Sequence, residues 1–272
     1  MTHHLFLSPH LDDAVLSCGG LLAQLAGQGA TVTIITVFAQ PPPAGRPLSP
    51  LARRQHAMWG RLRGAYQTRR AEDETALARL GLKPTWLPFF DCIYRGRPGA
   101  GEWYYTADAD IFGAVHPAEA GLPAQIAAAV QPHVRAGQTT LYLPLGVGNH
   151  VDHQLVRRAA EHFDAQDCTV QFFEDYPYVQ RDPAALERAL SNGRQTDPRP
   201  ELTFLSPAEL DAKINAVAAY ASQLDALFGG QAAMTEQVTR HARAVGQGRP
   251  AERYWLFESE TDFQEFAGSA PK

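Results

Sequence analysis

Two short stretches of this chain carry more imidazole and carboxylate than a fold requires. The first is Pro9-His10-Leu11-Asp12-Asp13, the second Asn149-His150-Val151-Asp152-His153. A histidine and an aspartate three residues apart at a strand-to-helix turn can bring an N and an O ligand onto one ion, a donor set that suits zinc. Asp12, adjacent to Asp13, must point elsewhere and stays free to handle protons. One aspartate would suffice to cap a helix. Two adjacent carboxylates beside an imidazole repel one another unless a cation sits among them. In the second stretch, His150 and His153 share a face if a helix starts there. His10, Asp13 and His153 then supply three ligands and leave a position open, the pattern of a catalytic rather than a structural zinc. His150 remains as a group that, when protonated, stabilises an oxyanion, with Asp152 placed to orient its ring and raise its basicity.

These residues need a scaffold that returns them to one place. Residues 5–8 read as a buried strand, 14–25 as an apolar helix and 31–38, rich in β-branched residues, as a second buried strand. A polar helix over 68–80 leads to a strand over 86–90, and a helix over 123–134 to a strand over 140–144. A helix beginning near Asp152 leads to a strand over 169–173, followed by a helix over 207–227 and a late strand over 254–257. Strands alternating with helices in this way predict an α/β, Rossmann-like, mostly parallel sheet with helices on both faces, in a single domain spanning residues 1–272. Ligands in such sheets bind beyond the strand C-termini, where both clusters fall. A phosphate-binding turn is excluded at the first, because two carboxylates would face the phosphates and Gly19-Gly20 lie too far into the helix. Two long irregular stretches, 40–50 and 92–119, interrupt the pattern at the same edge.

A net charge of -5 over 272 residues offers no electrostatic reason to expect nucleic acid or an anionic membrane as partner, which leaves a small molecule. Three cysteines, far apart and without CxxC spacing, indicate neither disulfides nor a thiolate zinc site and fit a reducing cytoplasm. The first apolar stretch is too short for a signal-peptide core, and no run approaches a transmembrane span of ~18 residues. A homo-oligomer is left open.

With these motifs in place, the chain resembles the LmbE-like or PIG-L family of zinc-dependent de-N-acetylases, which includes the deacetylases of the mycothiol and bacillithiol pathways. Residues 9–20, PHLDDAVLSCGG, resemble its first motif, usually His-Pro-Asp-Asp with a later Gly-Gly; residues 150–153, HVDH, resemble its second, usually His-Pro-Asp-His. Arg69-Arg70-Ala71-Glu72 through Leu80-Gly81 resembles the family's arginine-started helix. Leu11 and Val151 stand where the family usually has prolines. Fainter likeness continues in Tyr220-Ala221-Ser222-Gln223 and Ala251-Glu252-Arg253-Tyr254.

The resemblance implies one zinc per chain, with iron as the alternative metal, on His10, Asp13 and His153. It implies Asp12 as general base, His150 stabilising the tetrahedral intermediate and Arg69 contacting the substrate. The reaction implied is removal of an N-acetyl group from a GlcNAc-type sugar or glycoside. An amidase of a sugar-thiol or natural-product conjugate, and a non-catalytic metal-binding or ligand-binding module, are the alternatives; an intact base and an open coordination position weigh against the module. Asp91 is read as an acceptor for sugar hydroxyls, as is the pair Glu174-Asp175, and the loop at Trp103 to Tyr105 as a cover for a sugar ring or its aglycone. Seven arginines and no acid between residues 46 and 70 are read as a receptor for a phosphate-bearing substrate or as a solvated helix face. The remaining histidines, His3, His4, His56, His116, His133, His162 and His241, are read as structural or surface residues.

Overall fold

The computed structural model describes residues 2–59, 64–191 and 198–257. Its strands are β1 (His3–Ser8), β2 (Thr31–Thr36), β3 (Pro84–Trp86), the short β4 (Gly96–Arg97) and β5 (Glu102–Trp103), β6 (Thr139–Pro144), β7 (Cys168–Phe173), β8 (Arg199–Phe204) and β9 (Ala251–Leu256). Its α-helices are α1 (Asp13–Gly27), α2 (Pro50–Met58), α3 (Ala65–Arg79), α4 (Asp108–Ile111), α5 (Leu122–Val130), α6 (Val151–Ala159), α7 (Tyr178–Arg181), α8 (Pro183–Ser191), α9 (Pro207–Val217), α10 (Ala221–Phe228) and α11 (Gln231–Val245).

Seven strands form one sheet in the order β3-β2-β1-β6-β7-β9-β8, with β4 and β5 as a separate hairpin. The first five run parallel, and β9 runs against both of its neighbours. Buried runs such as Leu5-Phe6-Leu7 and Leu141-Tyr142-Leu143 need apolar cover on both faces. Helices supply it: α1 packs on α9, which also meets α3 and α11, while α5 packs on α6. Right-handed crossovers put the two groups on opposite faces. The chain leaves β1 toward β2 and β3 on one side and returns to β6 on the other. The crevice between the C-terminal ends of β1 and β6 is therefore a topological switch point, the usual place for a ligand in such a sheet.

The third strand is shorter and earlier than expected, Pro84–Trp86 rather than 86–90. Pro88 has no N–H to continue the ladder, and only an isolated bridge, Phe38 to Pro88, extends it. The helix expected over 207–227 is two helices. Residues 218–220 tighten at the end of α9, and Glu72 of α3 bonds Ser222 at N (2.8 Å) and Oγ (2.6 Å) in the first turn of α10. Edge strand β8 and helices α8 and α11 were not anticipated. The α11 core stripe is only Met234, Val238 and Ala242, and β8 contains Pro200, which an edge strand tolerates.

The C-terminal segment is tied into α1. Glu252 on β9 accepts hydrogen bonds from Gly20 N and Leu21 N at 2.8 Å each. Lys213 of α9 pairs with the same carboxylate at 2.7 Å and reaches Ser17 O at 3.3 Å. A larger residue here would have to displace Leu205, since a Cβ on Gly20 would lie 2.4 Å from one of its methyl carbons. Among the described residues no helix is long and apolar enough to cross a membrane.

Candidate active site

Where β1 ends, the Ser8 hydroxyl donates to His10 O at 2.6 Å and accepts from Ala14 N at 2.9 Å, closing the turn into α1. Asp12 occupies the N-cap position yet makes no capping bond. Its Oδ1 instead accepts from Arg69 Nη2 of α3 at 3.2 Å. Capping therefore does not account for this aspartate. Asp13 Oδ2 accepts from His10 N at 2.8 Å and lies 3.2 Å from His10 Nδ1 and 3.3 Å from His153 Nε2. Leu11 and Val151, the two proline replacements, are fully buried in a smaller apolar core beside the site with Leu51, Tyr66, Cys92 and Tyr94.

The outer nitrogens of both imidazoles are held by carboxylates. His10 Nε2 donates to Asp152 Oδ2 at 2.9 Å, and His153 Nδ1 donates to Asp175 Oδ1 at 2.6 Å. Those bonds leave His10 Nδ1 and His153 Nε2 as lone pairs, both beside one carboxylate oxygen. His153 Nε2 is buried without a hydrogen-bond partner. Two imidazole lone pairs at 3.2 and 3.3 Å from one carboxylate oxygen are repelled by it unless a proton or a cation joins them. Burial opposes charge on all three groups, but the pairing wins. Asp13 is held well below the usual carboxylate range by His153 and His10. Against the same burial, Asp13 and Asp175 push His153 up to about 9, and Asp13 and Asp152 raise His10. The residues fit a divalent cation, which would replace those protons: an N, an O and an N donor with carboxylate-held imidazoles behind them. His10, His150 and His153 also bring nitrogens within 4.8 Å of one another.

His150 and Asp152 are arranged differently from the sequence reading. His150 caps α6, its Nδ1 accepting from Asp152 N at 3.2 Å, so in the neutral ring the proton sits on Nε2. The Asp152 carboxylate turns away to His10, Cys92 N (3.0 Å) and Arg95. It therefore does not orient the His150 ring. Burial, with His10 beside it, drives the His150 pKa well below its ordinary value, so the ring is neutral and not the imidazolium expected. Asp12 is shifted upward by burial, partly offset by Arg69.

His10, Asp12, Asp13, Arg69, Asp91 and His150 line one cleft of ≈ 270 Å³, together with Trp59, Phe112 and Tyr178. A wider groove of ≈ 810 Å³ shares Phe112, Tyr178 and Arg181 with it. Asp91 uses Oδ1 to cap the turn at Ile93 N (3.1 Å), and its Oδ2 lies 3.9 Å from His10 Nε2. The pair Glu174-Asp175 does not face the cleft. Asp175 is buried behind His153 and also accepts from Val147 N at 2.8 Å, and Glu174 binds Arg253 and Trp255. The loop at Trp103 to Tyr105 does not line it either: Tyr104 stacks on His116 and Tyr105 is buried against Glu119. Of the seven arginines, Arg61 and Arg63 lie outside the described residues. Arg46 and Arg70 bond the carbonyls of Tyr94 and Ala39, and Arg69 holds Asp12. Sequence reasoning missed Arg95 and the role of Asp175; an acid at the end of the strand beside β6 was the available sign of the latter.

The family model of GlcNAc-PI de-N-acetylase, PIG-L, matches residues 5–163, which include both motifs and the residues that converge at the cleft from them, but not Asp175 or the cleft-lining Tyr178 and Arg181. The chain belongs to the PIG-L family. Among its relatives, a 2'-N-acetylparomamine deacetylase of Streptomyces fradiae is 33% identical over 92% of this chain and 80% of its own length. The protein of the same name from Niallia circulans is 29% identical over 94% and 91%. A solved structure described as the zinc inhibited form of teicoplanin deacetylase Orf2 superposes with a TM-score of 0.72 at 30% identity, covering 93% of this chain and 97% of that one. This PIG-L chain is thus a deacetylase with the sheet of its structural relatives.

Proposed function

We propose that this PIG-L protein is a divalent-metal-dependent N-deacetylase that frees the amine of a GlcNAc-type sugar carried as a glycoside. The observation that carries the reading is Asp13 Oδ2 set between two carboxylate-held imidazole lone pairs, with Asp12 left uncoordinated beside it. His10, Asp13 and His153 would hold the metal, zinc or iron. When bound, it supplies Lewis acidity that polarises the acetyl carbonyl and makes water easier to deprotonate.

The chain's residues do the rest. Asp12 takes a proton from the attacking water, its carboxylate steered by Arg69. The water oxygen adds to the acetyl carbon, and the oxygen that becomes negative receives a hydrogen bond from neutral His150 through Nε2–H. Asp12 returns its proton to the nitrogen as the C–N bond breaks, giving acetate and the free amine. Asp91 Oδ2 is offered to a sugar hydroxyl. Trp59, Phe112 and Tyr178 supply the apolar face that Trp103 to Tyr105 was expected to give. Met58 and Phe112 are exposed apolar side chains on this cleft, and the adjoining groove gives room for an aglycone, which favours a glycoside over a free sugar. Relatives named as deacetylases of 2'-N-acetylparomamine and of teicoplanin support that class.

Acetate release from GlcNAc, a GlcNAc aryl glycoside, 2'-N-acetylparomamine and an acetyl-lysine peptide, each with metal-loaded and chelator-treated protein, tests this. Metal-dependent release favouring the glycosides is expected. Equal rates on all four, or preference for the peptide, would overturn the sugar reading.

A further inference from the structure

Asp152 is fully buried, and what lies behind it is Arg95, on the long excursion between β3 and α5. Arg95 Nη1 sits 2.6 Å from Asp152 Oδ1 at angles outside hydrogen-bond geometry, so the contact is one of charge. The guanidinium is held from the other side. Nε and Nη2 donate to the two oxygens of Glu119 at 2.5 and 3.2 Å, and Nη1 donates to Phe90 O at 3.2 Å. The Phe38 and Tyr105 rings lie 4.9 and 5.6 Å from its central carbon. Tyr105 OH in turn donates to Glu119 at 2.6 Å and accepts from His116 N at 2.9 Å. Arg95 and Glu119 are both almost inaccessible to solvent, and neither touches the cleft.

We propose that Arg95 is a positioning residue for the metal centre: it fixes Asp152, which fixes the His10 ring, so that the excursion over residues 95–119 sets metal affinity and not substrate cover. The inference rests on the metal-site reading above. A carboxylate that orients a ligating imidazole works only if its own rotamer is locked, and groups of this kind typically change metal affinity by about 10- to 100-fold. Among the described residues Asp152 has one cationic side chain fixed against Oδ1, and that side chain is clamped by a two-point carboxylate grip that lysine cannot reproduce.

The test measures Zn²⁺ affinity of metal-stripped protein by chelator competition, with Co²⁺ absorption bands as a second readout, in Arg95→Met, Asp152→Asn and the double variant. Arg95→Met is expected to weaken Zn²⁺ binding about 10- to 100-fold and to alter the Co²⁺ bands. The double variant should bind no more weakly than Asp152→Asn alone, because Arg95 acts through Asp152. A merely structural arginine would add its cost to that of Asp152→Asn. Arg97→Met, which removes an exposed arginine paired with Glu102, should bind like wild type. If Arg95→Met does not fold, Glu119→Gln, which leaves the guanidinium in place but loosens its clamp, should show a smaller loss that likewise vanishes in the Asp152→Asn background. Wild-type affinity in a folded Arg95→Met, or multiplied losses in the double variant, would overturn the proposal alone. A wild-type chain that binds neither Zn²⁺ nor Co²⁺ would overturn the metal-site reading and this inference with it.

Discussion

Asp73, one turn along α3 from Arg69, offers a stability measurement that reports on how α3 is held. Its Oδ2 accepts from Trp86 Nε1 at 2.8 Å and its Oδ1 from Tyr220 OH at 3.0 Å, linking α3 to β3 and to the break between α9 and α10. Burial raises its pKa from 3.8 to about 7, although both hydrogen bonds pull the other way. The folded acid thus keeps its proton after the unfolded acid has lost it. Stability from this group is fully present below pH 3.8 and falls as pH rises through the interval up to about 7. At about 1.4 kcal/mol per pH unit, the loss between pH 5 and pH 8 is on the order of 3 kcal/mol. Asp73→Asn keeps the shape and removes the titration. Urea unfolding of both proteins across that range should give free-energy curves that diverge in favour of the variant as pH rises. Parallel curves would show that Asp73 ionises in the folded state as it does in the unfolded one, and the argument from its burial would fail.

Three further outcomes bear on the site. Asp12→Asn should fold and bind metal while losing about 10²- to 10⁴-fold in kcat, measured as acetate release by the metal-loaded protein, because the amide cannot take a proton. Elemental analysis should find one metal per chain in wild type and none in His153→Ala or Asp13→Ala, and full occupancy in both variants would remove the ligand assignment. His150→Ala should retain metal but fall about 10²- to 10³-fold in kcat as an oxyanion donor is removed; a variant that loses its metal instead would make His150 a ligand.

Where the elements were long and evenly patterned, they could be read directly. The apolar run that became α1 and the β-branched run that became β2 are examples, and the two motifs landed at the switch point because each follows a strand of the central pair. The ligand candidates were legible for the same reason, since each motif is contiguous in the chain. The support behind them was not. Asp175 is 22 residues from His153 and Arg69 is 57 from Asp12, separations that no local pattern encodes. The misassignment of Asp152 is instructive, because residues two apart at a helix start do not share a face, so its carboxylate was free to go to His10 and not to His150. In α11 the buried stripe is a single row, Met234, Val238 and Ala242, and β8 is a largely exposed edge strand carrying Pro200, so neither has the apolar content of the central elements.

The grip of Glu252 on the backbone of α1 limits where this protein can be cut. The family-matched portion ends at residue 163, but a fragment ending there would strand two N–H groups in the middle of the helix that begins with Asp13, and would uncover the glycine face against which Leu205 and Lys213 lie. Anyone transplanting segments between relatives should therefore keep 199–256 with their own α1, since a mismatched partner at Gly20 collides before it bonds.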